Sequence, residues 1–327
     1  MLALMLLTIS LRRSAPKSNL HIPARDMPEH TRSWFASQSN VVLHRDLWPE
    51  DTFWNIKPHL LEQLLDRGVE RATWIDGDII VTSDPAKFFR RPETEIVVAQ
   101  EGFRSRERGT GERTIAIGGR IGRELGYTVN SCIVSVTPRH RDLLNDWKLL
   151  LRSELYRNPT RHPLLVGDQD VLGGLLGSSG YADVPVSAVR TAGDIAHDML
   201  PGDFGVMHRI ATVWTGEPAF AHSQGRKTWR MPAGSLQSRH WLNQLAMHRQ
   251  WAKAFASELP KEMSQWLTCD TGFSKLMSRL FPSRPSLRGL PVGLVGSSLN
   301  CAYRVRNLFR NRARYSIGQP ADEVRPL

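Results

Sequence analysis

Asp76 and Asp78, separated by one glycine in the run Trp-Ile-Asp-Gly-Asp-Ile-Ile-Val (74–81), give the strongest chemical signal in this 327-residue sequence. They close an apolar, β-branched stretch that reads as a strand. Side chains at i and i+2 of a strand share a face, and a turn at Gly77 lets both carboxylates approach one point. Two such anions repel unless a cation lies between them. A hard divalent ion, held by one or two carboxylates together with phosphate oxygens, resolves that repulsion. Taken alone, the same letters also describe a polar turn after a strand.

Three further fragments carry chemistry. Ala221 to Trp229 (AHSQGRKTW) places His222, Gly225 and Lys227 behind a strand-like stretch. Histidine can ligate a metal, glycine admits close backbone approach, and lysine supplies a point charge for a diphosphate. An exposed loop histidine with ordinary basic neighbours would read the same way. Gly167 to Leu172 (GDQDVL) sets Asp168, Gln169 and Asp170 at the start of a helix, where capping alone also selects an acid at 168. Asn130 and Ser131 open the apolar strand 129–136 (VNSCIVSV). A turn residue before a strand is the plain alternative there.

The elements that must position these residues follow from hydropathy periodicity. Residues 2–14 read as a helix, 19–22 as a short strand, 26–38 as a polar helix or loop and 41–43 as a strand. Apolar residues at 53, 54, 56, 60, 61, 64 and 65 have helical spacing after Asp51 or Thr52 as cap, and Gly68 stops the helix. Strands follow at 72–75, 79–81, 96–99 and 129–136, helices at 138–157 and 168–177, and a strand near 182–186. The arginines and glycines of 101–126 read as a mobile loop. Helices alternating with strands indicate an α/β sheet. Beyond about residue 234 the pattern turns helical. The chain therefore divides into a catalytic-type domain over 1–234 and a mostly helical, basic extension over 235–327.

Composition narrows the classes. Apolar residues make up 41% and charged residues 23%, ordinary for a globular protein and incompatible with collagen-like or wholly disordered chains. No apolar run approaches the ~18 residues of a membrane-spanning helix. Three dispersed cysteines, Cys132, Cys269 and Cys301, encode neither a disulfide framework nor a zinc site, which points to a reducing, cytoplasmic setting. The apolar run Met1–Leu11 precedes Arg12 and Arg13, the reverse of a signal peptide, so it reads as a first helix. Of the net charge of +11, residues 226–327 contribute 17 basic against 5 acidic side chains. That segment favours anionic partners.

Together and in this order, the four fragments resemble the GT-A glycosyltransferases, in particular the family 8 retaining sugar transferases. That group shows a strand ending in Asp-x-Asp, an Asn-Ser/Ala-Gly strand, Asp-Gln-Asp, then His-x-x-Gly-x-x-Lys-Pro-Trp. The likeness runs from about residue 5 to residue 230, supported by Trp54–Leu61 (WNIKPHLL) and Asp84-Pro85. It implies a Rossmann-like α/β fold with a mixed, mostly parallel sheet flanked by helices. It further implies a metal-dependent hexosyl transfer from a nucleotide-sugar, UDP-linked donor to a glycan, lipid or protein acceptor, with retention. Asp76, Asp78 and His222 would hold Mn²⁺ or Mg²⁺. Lys57, Asp76, Asn130, Asp168, Gly225 and Lys227 would bind the donor, and Gln169 or Asp170 would lie near the anomeric carbon as the catalytic pair. The sequence departs from the pattern in three places: His222 to Lys227 is one residue short, Thr228 replaces the proline, and Cys132 stands where glycine is usual. Arg226 is an alternative phosphate contact.

Two rival readings remain open at this point. One is a non-catalytic nucleotide-sugar-binding protein on the same fold. The other is a basic nucleic-acid-binding protein, resting on the tail and on Trp241, Trp251 and Trp266; the tail carries no nucleic-acid motif, so no nucleic-acid partner is expected. The apolar and arginine-bearing stretch 287–315 suggests peripheral attachment to the anionic inner face of a membrane. In the GT-A fold a buried strand precedes the first helix. Residues 2–13 already read as that helix, so the first strand is expected to be missing and the true start to lie upstream. The alternative is that Met1–Ile9 is itself the strand.

Overall fold

The computed structural model describes residues 1–47, 51, 53–101, 109–158, 162–191, 193–197, 216–224 and 247–268, with the single positions 294, 298, 301 and 302. They fall in two compact units. The first comprises Met1–His197, Glu217–His222 and Ser257–Leu259; the second comprises Asp198–Gly216, Ser223–Ala256 and Pro260–Leu327.

The first unit opens with helix α1, Leu2–Ser14, rather than with a strand. Its apolar residues leave Leu2, Met5–Leu7, Ile9 and Leu11 buried, and Arg12 and Arg13 in its last turn suit the negative end of the helix dipole. There follow β1 (Leu20–Pro23), α2 (Glu29–Ala36), β2 (Val41–His44) and α3 (Lys57–Asp66). A 3₁₀ turn over Phe53–Ile56 leads into α3, so the helix expected from residue 51 begins at Lys57, with Pro58 in its first turn. Then come β3 (Ala72–Ile75), β4 (Ile79–Val81), α4 (Ala86–Phe89), β5 (Ile96–Gln100), α5 (Thr110–Ala116) and β6 (Val129–Val136). The helix expected over 138–157 is a 3₁₀ turn, α6 (Arg141–Arg152) and α7 (Glu154–Arg157), broken at Ser153, whose backbone is extended. The unit closes with α8 (Asp168–Gly177), β7 (Val186–Val189, slightly later than expected), β8 (Ile195–His197) and β9 (Phe220–His222).

Among the described residues the strands form three sheets: β1-β2, β3-β6-β5-β7 and β4-β9-β8. Among the described residues, three strand pairings are parallel and three antiparallel, so the α/β class holds with an evenly mixed set of pairings. Strand β6 is buried along all eight residues and divides two cores. Ile96 and Val98 of β5 pack with Leu61, Leu144, Trp147 and Leu172 from α3, α6 and α8. The alternate residues Val97 and Ala99 pack with Leu7 and Leu11 of α1, Ile79, Val81 and Phe220. The outer edge of β4 meets α1 through two serines one turn apart. Ser10 Oγ accepts from Val81 N at 3.0 Å and Ser14 Oγ donates to Val81 O at 3.0 Å, so helical side chains satisfy backbone groups that another strand would otherwise pair.

The segment 101–126, expected as a mobile loop, contains α5. Glycines explain the difference. A Cβ at Gly174 of α8 would lie 2.8 Å from the Arg113 carbonyl oxygen, and one at Gly177 would lie 2.5 Å from Thr114 Oγ1. Hydrogen at those positions lets α5 and α8 approach closely enough for Thr114 Oγ1 to donate to Gly174 O at 2.8 Å. Helix propensity alone would not favour α5; its tertiary contacts do. In the second unit, the described helices are α9 (Met247–Ala254) and α10 (Lys261–Thr268). Among the described residues, no helix is long and apolar enough to cross a membrane. The stretch 287–315 lies outside the described residues, apart from 294, 298, 301 and 302.

Candidate active site

The candidate residues collect at one end of the sheets. Strands β3 and β5 run antiparallel to β6, so Asp76 after β3 and Glu101 after β5 meet Asn130 and Ser131 at the start of β6. Strand β9 pairs antiparallel with β4 with His222 opposite Ile79, which places the imidazole beside Asp78. Ligands in α/β sheets bind at such carboxyl-terminal strand ends. The β5–β6 register slips between Val98 and Ala99, a bulge at the site. Within it, Asn130 Oδ1 accepts the Cys132 N–H at 2.9 Å.

Asp76, Asp78 and His222 converge. One ligand atom from each lies within 4.8 Å of the others. His222 Nε2 is 3.4 Å from Asp78 Oδ1, with the imidazole buried and both aspartates half-buried. Two carboxylates and an imidazole form a donor set suited to a divalent cation of the Mn²⁺ or Mg²⁺ kind. Behind His222, its Nδ1 is 2.9 Å from His197 Nδ1, and His197 Nε2 is 2.9 Å from the Gln100 carbonyl oxygen. Burial, followed by the neighbouring His222, pushes the His197 pKa down to about 4.

A second cluster adjoins Asp76. The Lys57 ammonium, 2% exposed, is 3.3 Å from Asp76 Oδ1 and 3.2 Å from Asp168 Oδ2, and it donates to Ser131 Oγ at 2.7 Å. Burial alone would lower its pKa, but Asp76 and then Asp168 outweigh burial and hold it above the ordinary value. Burial raises the Asp168 pKa although Lys57 and Ser131 oppose the shift; Ser131 Oγ donates to Asp168 Oδ2 at 2.7 Å. Trp74 Nε1 donates to Asp76 Oδ1 at 2.5 Å. Glu101 Oε2 accepts from Asn130 Nδ2 at 2.9 Å and Gln169 Nε2 at 3.1 Å. Asp170 has both oxygens engaged: Oδ1 with Arg113 Nε at 2.7 Å, and Oδ2 with the Val166 and Gly167 amides at 3.1 and 3.0 Å. Gly225 and Lys227 lie outside the described residues.

Of the residues singled out from the sequence, Asp76, Asp78 and His222 meet at one point, Lys57 joins Asp76 to Asp168, Asn130 and Gln169 share Glu101, and Asp170 is held by Arg113. Sequence reasoning missed Glu101, Arg113 and His197. Glu101 offered a signal, an acid directly after an apolar strand, as Asp76 is. Arg113 and His197 offered none, because their roles depend on helix packing and strand register.

The sequence matches no protein-family model and no curated protein. Its fold does have solved likenesses. An active-site glutamine-to-glutamate variant of LgtC aligns over 81% of this chain and 96% of its own, with a TM-score of 0.50 and 15% identity. The chain has the GT-A fold. GlyE, a glycosyltransferase of Streptococcus pneumoniae TIGR4, aligns over 79% of this chain and 60% of its own at 14% identity and a TM-score of 0.43. The bifunctional glycosyltransferase WbbM aligns over 70% and 45% at 11% identity and a TM-score of 0.42.

Proposed function

We propose that this chain is a metal-dependent glycosyltransferase that moves a sugar from a nucleotide-sugar donor, UDP-linked, to a glycan, lipid or protein acceptor with retention at the anomeric carbon. The observation that carries this reading is the convergence of Asp76, Asp78 and His222 on one point from three separate strand ends. They would hold Mn²⁺ or Mg²⁺, which when bound supplies positive charge to the diphosphate leaving group. The neighbours have distinct tasks. Lys57 bridges the carboxylates of Asp76 and Asp168, and Asn130 and Asp168 contact the transferred sugar or the acceptor. Gln169 offers its amide oxygen toward the anomeric carbon, since its nitrogen is bound to Glu101. The likeness to a structure of an active-site glutamine variant supports that assignment. Asp170, tied to Arg113 and to two amides, positions the start of α8. Gly225 and Lys227 are assigned to the diphosphate from the sequence pattern. The basic extension is assigned to the anionic inner face of a membrane, where roughly 1 kcal/mol per basic residue is available.

The test is a screen of nucleotide sugars for Mn²⁺-dependent hydrolysis, which identifies the donor without the acceptor. Turnover of one donor that chelation abolishes supports the reading. Binding of a nucleotide sugar with no turnover of any donor or acceptor would favour a non-catalytic binding protein on the same fold.

A further inference from the structure

We propose that His197 is a positioning residue that sets the tautomer of His222, so that His222 presents the lone pair of Nε2 to the point shared with Asp76 and Asp78. The inference rests on the cation site proposed above.

The Gln100 carbonyl oxygen can only accept a hydrogen bond. His197 Nε2 lies 2.9 Å from it and therefore carries a proton. In a neutral imidazole the other nitrogen then bears the lone pair, and His197, 5% exposed, has little solvent to favour a charged ring. His197 Nδ1 is 2.9 Å from His222 Nδ1. Two lone pairs cannot share that distance, so His222 Nδ1 donates. The remaining nitrogen of His222, Nε2, is then unprotonated in the neutral ring, and it is the nitrogen 3.4 Å from Asp78 Oδ1. A lone pair aimed at a carboxylate is unfavourable without a cation between them, so the relay prepares this point for one. Metal-ligating histidines commonly need such a partner on the second nitrogen. The register fixes it here: β8 and β9 run parallel with His197 directly opposite His222.

The Cys132 thiol lies within 4.8 Å of both rings, which raises a sulfur- and imidazole-ligated ion as the rival occupant. The 2.9 Å between the two Nδ1 atoms argues against it. Two imidazoles on one tetrahedral zinc, each about 2.0–2.1 Å from the ion, would hold their nitrogens roughly 3.3 Å apart. The shorter separation is that of a hydrogen bond.

The experiment uses the full chain with ¹⁵N-labelled histidine and has two arms. In the metal-free protein, two-bond ¹H–¹⁵N correlation spectra are expected to show His222 as the Nδ1–H tautomer. His197→Phe, which removes the acceptor, is expected to shift His222 toward Nε2–H. His197→Asn, whose Oδ1 can take the place of Nδ1, should restore the Nδ1–H form. In the second arm, Mn²⁺ affinity is read from the free-ion EPR signal. His197→Phe should weaken binding roughly 10–100-fold, with the Asn variant within about threefold of wild type. An Nε2–H tautomer in the wild type, or unchanged Mn²⁺ affinity in the Phe variant, would overturn the proposal. So would a Zn²⁺ or Co²⁺ complex bound through sulfur, seen as a thiolate charge-transfer band that Cys132→Ser removes. If wild type binds no Mn²⁺ while the tautomer spectra follow expectation, the cation site fails and the relay stands.

Discussion

The two halves of the candidate site solve the same electrostatic problem differently. Around Lys57, a resident ammonium lies between Asp76 and Asp168, and Ser131 completes its coordination. Around Asp78, the imidazole of His222 joins the two carboxylates, one ligand atom of each residue lying within 4.8 Å of the others. The first half carries its counter-charge in the fold; the second, in the function proposed above, receives one. Removing charge should therefore damage stability in the first half and ion binding in the second.

The largest expected effect lies on the second half. Asp78→Asn should lower Mn²⁺-dependent donor turnover about 10³-fold, which corresponds to several kcal/mol of lost charge stabilisation, while the thermal transition stays close to wild type. Calorimetry beside a hydrolysis assay checks both parts, and a large loss of stability would erase the contrast. Lys57→Met should do the reverse. It leaves the buried Asp168 and the half-buried Asp76 without their cation and should cost about 3–5 kcal/mol in metal-free denaturant unfolding. An Asp168→Asn change on that background should recover part of the loss.

The pH dependence sharpens the comparison. The Lys57 pKa is raised in the folded chain, so its contribution is fully present below the unfolded lysine value near 10.5 and is lost as pH rises through the higher folded value. Wild type should lose stability in that alkaline window more steeply than Lys57→Met. Parallel alkaline unfolding curves would remove Lys57 as the resident charge. A smaller effect is expected where α8 meets α5. Gly174→Ala places a methyl 2.8 Å from the Arg113 carbonyl oxygen and should cost about 1–3 kcal/mol by chemical denaturation. Because Arg113 also holds Asp170, the change should slow turnover without altering Mn²⁺ affinity.

Much of the site was legible in the sequence because its residues declare their chemistry by type and spacing. Asp76 and Asp78 around Gly77, and His222 after an apolar stretch, come within 4.8 Å of one another in space. The strands β3 to β6 were legible from their β-branched runs. Helix α5 was not: Gly111 and the β-branched Thr110, Thr114 and Ile115 disfavour a helix locally, and Gly174 and Gly177 of α8, about sixty positions away, make room for it. His197 was illegible for a related reason. Its role exists only in the parallel register of β8 against β9, and nothing local in Ile195–His197 states that register.

The central claim is that the Asp76, Asp78 and His222 cluster binds one divalent cation. The most direct measurement is Mn²⁺ titration of the full chain followed by EPR, for wild type, Asp78→Asn and His222→Ala. The account predicts one saturable site in wild type and at least about tenfold weaker binding in both variants. Equal affinity in wild type and both variants would contradict it.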